Sequence, residues 1–186
     1  MSTTTNLDDF EISEVSSPKK KKRRITAKFA LLEAPRCGWV KFSLPEIRRR
    51  FNLSYLTDVP LDWLNSAIYG LEHLLPFCVK GVMEPNRMIC IVSYHRCHIL
   101  IENEDNVHET WRDIPNYVSH TDMLTFCIRL HEDIRRNMEE WGRWLSGDME
   151  KSDLLSRKEE INKKLERLEE LIELRAEQFQ GNSFFF

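Results

Sequence analysis

Residues Phe77 to Ile101 read FCVKGVMEPNRMICIVSYHRCHILI, two β-prone runs on either side of EPNR. Pro85 and Asn86 suit the middle of a tight turn, and a tight turn between two extended runs makes them antiparallel neighbours. The second run, Met88 to Ile101, is continuously rich in β-branched and aromatic residues, which predicts the central strand of a small, mainly antiparallel sheet. Upstream, ITAKFALLE and WVKFS are shorter β-rich runs separated by APRCG, whose Pro35 and Gly38 supply a turn, so a hairpin is the simplest reading. Ser43 and Glu46 have capping-box spacing, which predicts a short helix through Phe51 with Arg48, Arg49 and Arg50 around its outer surface.

Helical periodicity flanks the sheet. After Asp58, Leu61, Leu64, Ile68, Leu71 and Leu75 recur on one helical face until Pro76. A polar ENEDN turn and a loop around Trp111, Pro115 and Tyr117 precede a second amphipathic helix. Ser119 or Asp122 caps it, and its apolar positions run from Leu124 to Leu145, ending at Gly147. Two amphipathic helices against a small antiparallel sheet make an α+β fold over residues 25–147.

Beyond it, Lys151 to Gln178 contains neither Gly nor Pro and is built of strong helix formers. Leu154, Ile161 and Leu168 fall in one heptad register, and Leu165, Ile172 and Phe179 in the next, with Lys158 and Arg175 interrupting the seam. So narrow an apolar stripe on a charged helix predicts a coiled coil over 148–180, followed by a tail at 181–186, that joins copies of the chain. Residues 1–24 lack the apolar area needed to offset ordering and are read as a disordered arm.

The five cysteines (Cys37, Cys78, Cys90, Cys97 and Cys127) are odd in number and widely spaced, the pattern of reduced thiols. The start MSTTTNLDDF has neither a basic n-region nor an apolar h-region, and no apolar run approaches the roughly 18 residues of a membrane span. Membrane insertion and secretion are not expected. A nuclear protein with a cytoplasmic pool is.

The nuclear expectation comes from six consecutive cations, Lys19, Lys20, Lys21, Lys22, Arg23 and Arg24, after Pro18. PKKKKRR resembles the monopartite nuclear localisation signals that lie extended in the acidic, Trp-lined groove of an importin-type receptor. The same cations on a flexible arm would release counterions from nucleic acid without reading its sequence. Lys41, Arg48, Arg49 and Arg50 are candidates to extend that grip into the folded part. Ser17-Pro18 has the form of a proline-directed phosphorylation site, and a phosphate there would subtract charge at the address itself.

Cys90, His95, Cys97 and His98 lie close enough in sequence to suggest zinc. On a straight strand His95 and Cys97 share one face while Cys90 and His98 share the other, and no paired CxxC completes a site, so neither metal nor cofactor is expected. No phosphate-cradling Gly-rich loop, HExxH or GxSxG occurs. Cys127 and His131 are four apart on one helical face, where a core cysteine beside a boundary histidine is the simpler reading than a nucleophile and base. Trp141 and Trp144 are expected to pack the last helix onto the core.

These features predict a non-enzymatic, nuclear, self-associating binding protein that engages protein partners and nucleic acid. The layout of address, module and coiled coil also resembles small regulatory or matrix proteins of viruses that use the nucleus. That resemblance implies a second expectation, a matrix-type structural protein whose assembly condenses a nucleoprotein.

Overall fold

A turn at Arg36–Trp39 starts the described chain on its hairpin. Arg36 and Trp39 exchange both backbone hydrogen bonds (2.8 and 2.9 Å), and Cys37 and Gly38 between them sit at φ 49° and 75°. Two consecutive positive φ values are what a two-residue hairpin loop of the right twist requires. The computed structural model describes residues 29–103, 115–145 and 150–181.

The chain is α+β, with two antiparallel sheets and four helices among the described residues. Strand β1 (Trp39–Phe42) pairs with β2 (Phe51–Ser54), and its other edge bridges back to Leu32. Helix α1 (Val59–His73) leads into a meander of β3 (Phe77–Val82), β4 (Arg87–Val92), β5 (Cys97–Glu102) and β6 (Asn116–Ser119). Helix α2 (Met123–Arg136), the short α3 (Met138–Gly142) and the long α4 (Lys151–Gly181) follow.

The sheet alternates as a half-covered sheet must. Phe77, Val79, Met88, Cys90, Val92, Cys97, Ile99 and Ile101 face the core, and the residues between them face away. Trp63 of α1 is fully buried at the centre, its ring edge-on to Phe42 (5.3 Å) and stacked on Phe126 of α2 (6.3 Å), while its Nε1 donates to the Lys80 carbonyl at 2.7 Å. A Cβ on Gly70 would stand 2.2 Å from the Phe77 ring, so α1 reaches the sheet this closely only with glycine there.

Three local expectations are corrected. Met88–Ile101 is two strands: Ser93 closes a turn on Arg96 through its backbone N–H (2.9 Å) and its hydroxyl (2.8 Å). The turn resets the facing, so Cys90 and Cys97 share the core face and His98 points away from it. No helix follows Ser43. Its hydroxyl donates to the Ala30 carbonyl, while Glu46, at φ 66°, accepts from the Ser119 hydroxyl and the His120 N–H, each at 3.0 Å. Both residues of the capping box are spent on distant partners, and the arginines that follow are extended backbone leading into β2. The helix after Asp122 breaks at Asn137, whose side-chain amide donates to the Asp133 carbonyl (3.0 Å). At its start Asp122 is the cap, accepting from the Thr125 N–H at 2.8 Å.

The largest correction concerns α4. Ile161, Leu165, Leu168 and Leu171 are buried against α1 and α2 of the same chain, within the one core cluster. Ile172 packs at the edge of that cluster, Leu154 is half-buried, and the side chain of Phe179 lies outside the described residues. A narrow stripe suffices because α4 is touched from both sides and long cationic side chains complete its flanks. Arg157 makes two hydrogen bonds to the Asp58 carboxylate (2.9 and 2.6 Å) at the start of α1. At the other end of α1, Arg167 donates twice to Glu72, and Arg175 donates to the Leu71 and Glu72 carbonyls, both at 2.8 Å. Lys158 pairs with Glu139 of α3. The two residues that interrupt the heptad are therefore docking residues, and Arg175 satisfies carbonyls that the helix end leaves open. Pairing with a second copy through Ile161, Leu165 and Leu168 requires α4 to leave α1 and α2. Trp141 and Trp144 are buried as expected, and Trp144 Nε1 donates to the Thr57 carbonyl at 2.7 Å.

One histidine makes this junction pH-sensitive. His131 on α2 is buried against α4, its Nε2 3.8 Å from Glu169 and without a hydrogen-bond partner among the described residues. Burial first, then Arg135, holds its pKa below the ordinary value, outweighing the pull of Glu169 and Glu132. The folded chain thus takes a proton less readily than the unfolded one. Above about pH 6.5 both are neutral at this site and stability is unaffected; below it the unfolded state gains protons first and stability falls. Thermal melts at stepped pH should show Tm declining as pH drops from about 6.5, with a shallower decline in His131→Gln. Equal slopes in the two proteins would assign the acid sensitivity elsewhere.

Candidate nucleic-acid interface

The outward side of β1 and β2 carries the candidate site. Alternation sends Val40, Phe42, Phe51 and Leu53 into the core and leaves Trp39, Lys41 and Asn52 outside, with Lys41 directly opposite Asn52. Arg36 opens the hairpin turn opposite Trp39, whose indole is 39% exposed, while Arg50 leads into β2 at the other end of the ladder, beside Glu33. Glu33, Arg36, Trp39, Lys41 and Asn52 line an open concavity of about 430 Å³.

Glu33 is the carboxylate of this surface. It pairs with Arg50 at 3.1 Å and Lys41 at 3.7 Å, and all three side chains are between 41% and 65% exposed. Exposed pairs of this kind contribute about 0–1 kcal/mol, so an incoming phosphate competes with Glu33 at little cost. Arg36 and Lys41 against one carboxylate, with Arg50 at its edge, leave the concavity positive.

Of the four folded-domain cations expected to bind nucleic acid, Lys41 and Arg50 come together here and two do not. Arg49 donates to the Tyr117 hydroxyl at 2.9 Å and lies over the Phe51 and Tyr117 rings (5.5 and 5.8 Å), joining the entry of β2 to β6. It is a packing residue. Arg48 is exposed and has no ion pair among the described residues. Arg36 and Trp39 were absent from the sequence expectation. Their signal was the pairing of PRCG, a turn, with WVKF, an alternating strand that puts Trp39 on the same side as Lys41.

Lys19–Arg24 and Ser17 lie outside the described residues. The chain between them and the hairpin is short: Arg24 is five residues from Phe29, at most about 18 Å of extended backbone, and nine from Glu33. The far side of that link is fixed to α2. Asp133, fully buried, accepts from the Leu31 and Leu32 N–H groups with one oxygen (2.7 and 3.0 Å) and from Arg136 with the other (3.0 Å). Burial raises its pKa, partly offset by those two backbone donors and by Arg136 and Arg129. The root of the basic block is thus held in a defined place beside the concavity.

Among the described residues no three His, Cys, Asp or Glu side chains are arranged to hold a metal ion. Burial pushes the Cys127 thiol well above its ordinary pKa, and burial with Cys97 beside it does the same to Cys90. No helix among the described residues is long and apolar enough to cross a membrane. Comparison of the chain with known protein families, curated proteins and solved structures found no match.

Proposed function

We propose that this protein is a non-enzymatic nuclear binding protein that is carried in by an importin-type receptor and engages nucleic acid through its basic segment and the adjoining hairpin face. The observation that carries the reading is the run of six cations at Lys19–Arg24 behind Pro18, a length and density suited to an acidic receptor groove and to a phosphate backbone alike. Its position supports the reading further, since the chain that follows within about 18 Å is clamped to α2 and opens onto a second cationic surface. Receptor binding and nucleic-acid binding then compete for the same side chains, so cargo is handed over rather than held by both.

The test uses one variant and two readings. With Lys20, Lys21, Lys22 and Arg23 changed to alanine, a fusion too large to diffuse through the nuclear pore should stay cytoplasmic where the parent accumulates in nuclei. The same change should flatten the salt dependence of duplex DNA binding from a log–log slope near −5, as expected for about six neutralised phosphates, to near −2. Unchanged nuclear accumulation would overturn the import half, and a parent slope near zero the nucleic-acid half.

A further inference from the structure

Resting on that reading, we infer that the nucleic acid is single-stranded and that Trp39 is the platform on which one of its bases stacks. The surface holds what a single strand needs and a duplex does not. A half-exposed indole offers a flat apolar face, and a base is free to lie on it only when it is not already stacked and paired within a double helix. Arg36 and Lys41 line the same concavity and are placed to meet backbone phosphates, and the Asn52 amide, opposite Lys41, offers both a donor and an acceptor to a base edge. The backbone that carries the indole is fixed: Trp39 exchanges two backbone hydrogen bonds with Arg36 across the turn and pairs with Ser54 on its other side.

The charge pattern fits the same ligand. Arg36 and Lys41 in the concavity, with Arg50 at its Glu33 edge, outnumber the one carboxylate, a balance that suits a polyanionic strand.

The experiment measures anisotropy of labelled 12-nucleotide oligodeoxyuridylate and oligouridylate, which differ only in the sugar, and of a duplex of equal length, with the full chain at several salt concentrations. Trp39→Ala should weaken single-strand binding about tenfold and leave the salt slope near −4 unchanged, because stacking carries no charge. Trp39→Phe should recover most of the loss, and neither change should move the melting temperature by more than a degree or two. Whichever oligonucleotide binds more tightly identifies the sugar, and Trp39→Ala must weaken that one. Duplex binding as tight as single-strand binding, or a Trp39→Ala protein that binds like the parent, would overturn the inference while the basic-segment reading stands. No binding by the parent at low salt would instead remove the reading beneath it.

Discussion

Changing Leu165 and Leu168 together to aspartate is expected to abolish the cooperative thermal transition of the whole chain. Both side chains are fully buried between α4 and the α1–α2 pair. Emptying one such leucine site to alanine costs about 2–5 kcal/mol, and a carboxylate left there without a partner adds the penalty of an unpaired buried charge. Two sites exceed the roughly 5–15 kcal/mol that a domain of this size holds. The control is on the same helix. Leu155 and Leu174 are 57% and 47% exposed, and their exchange for aspartate should shift stability by no more than about 0.5 kcal/mol each. Far-UV circular dichroism with thermal melts separates the two double variants directly. Were Leu165→Asp with Leu168→Asp to melt like the parent while sedimenting as a smaller species, the helix would be joining copies, and the matrix-type assembly expected from the heptad would return.

Asp133→Ala should be the most damaging single polar substitution, by about 3–5 kcal/mol in urea unfolding. Its carboxylate has no exposed surface and answers two buried N–H groups and one guanidinium. Removing it orphans the Leu31 and Leu32 donors, each costing about 1–3 kcal/mol. Asp133→Asn keeps an acceptor oxygen but not the charge that strengthens these bonds, and should lose about half as much. A local reading sharpens the test. Amide exchange at Leu31 and Leu32 should accelerate in Asp133→Ala more than at Val40, because the clamp acts on the first of these and the β1–β2 ladder protects the second. A loss below about 1 kcal/mol would mean that the hairpin seats itself by packing alone.

What the sequence made legible was periodicity and local punctuation. The class, an antiparallel sheet, α1, a cap before α2 and a turn before Trp39 all follow from patterns read within a dozen residues. What it hid depended on partners far away in the chain. Ser43 and Glu46 are spaced as a helix cap, but Glu46 is bound by Ser119 and His120, 73 and 74 positions on, and those bonds override the local preference. Lys158 and Arg175 looked like flaws in a coiled coil because Glu139 and the end of α1 are invisible to a heptad. The candidate site divides the same way. Lys41 and Arg50 could be chosen as cations, yet only the fold brings both to Glu33 and sets Lys41 on the face of Trp39, and only Tyr117 and Phe51 withdraw Arg49 from the group.

The bond from Arg157 to Asp58 also bears on how the chain must be made. These residues are 99 apart, and a ribosome adding about 5–20 residues each second takes between about 5 and about 20 s to travel from one to the other. During that interval the face of α1 that α4 will cover has nothing to cover it, and the face of α2 joins it once Met123–Arg136 has been made. The nascent chain is therefore a substrate for chaperones before it is a fold, and translation that stalls ahead of Ile161 releases a product whose exposed apolar surface directs it to aggregation or proteolysis.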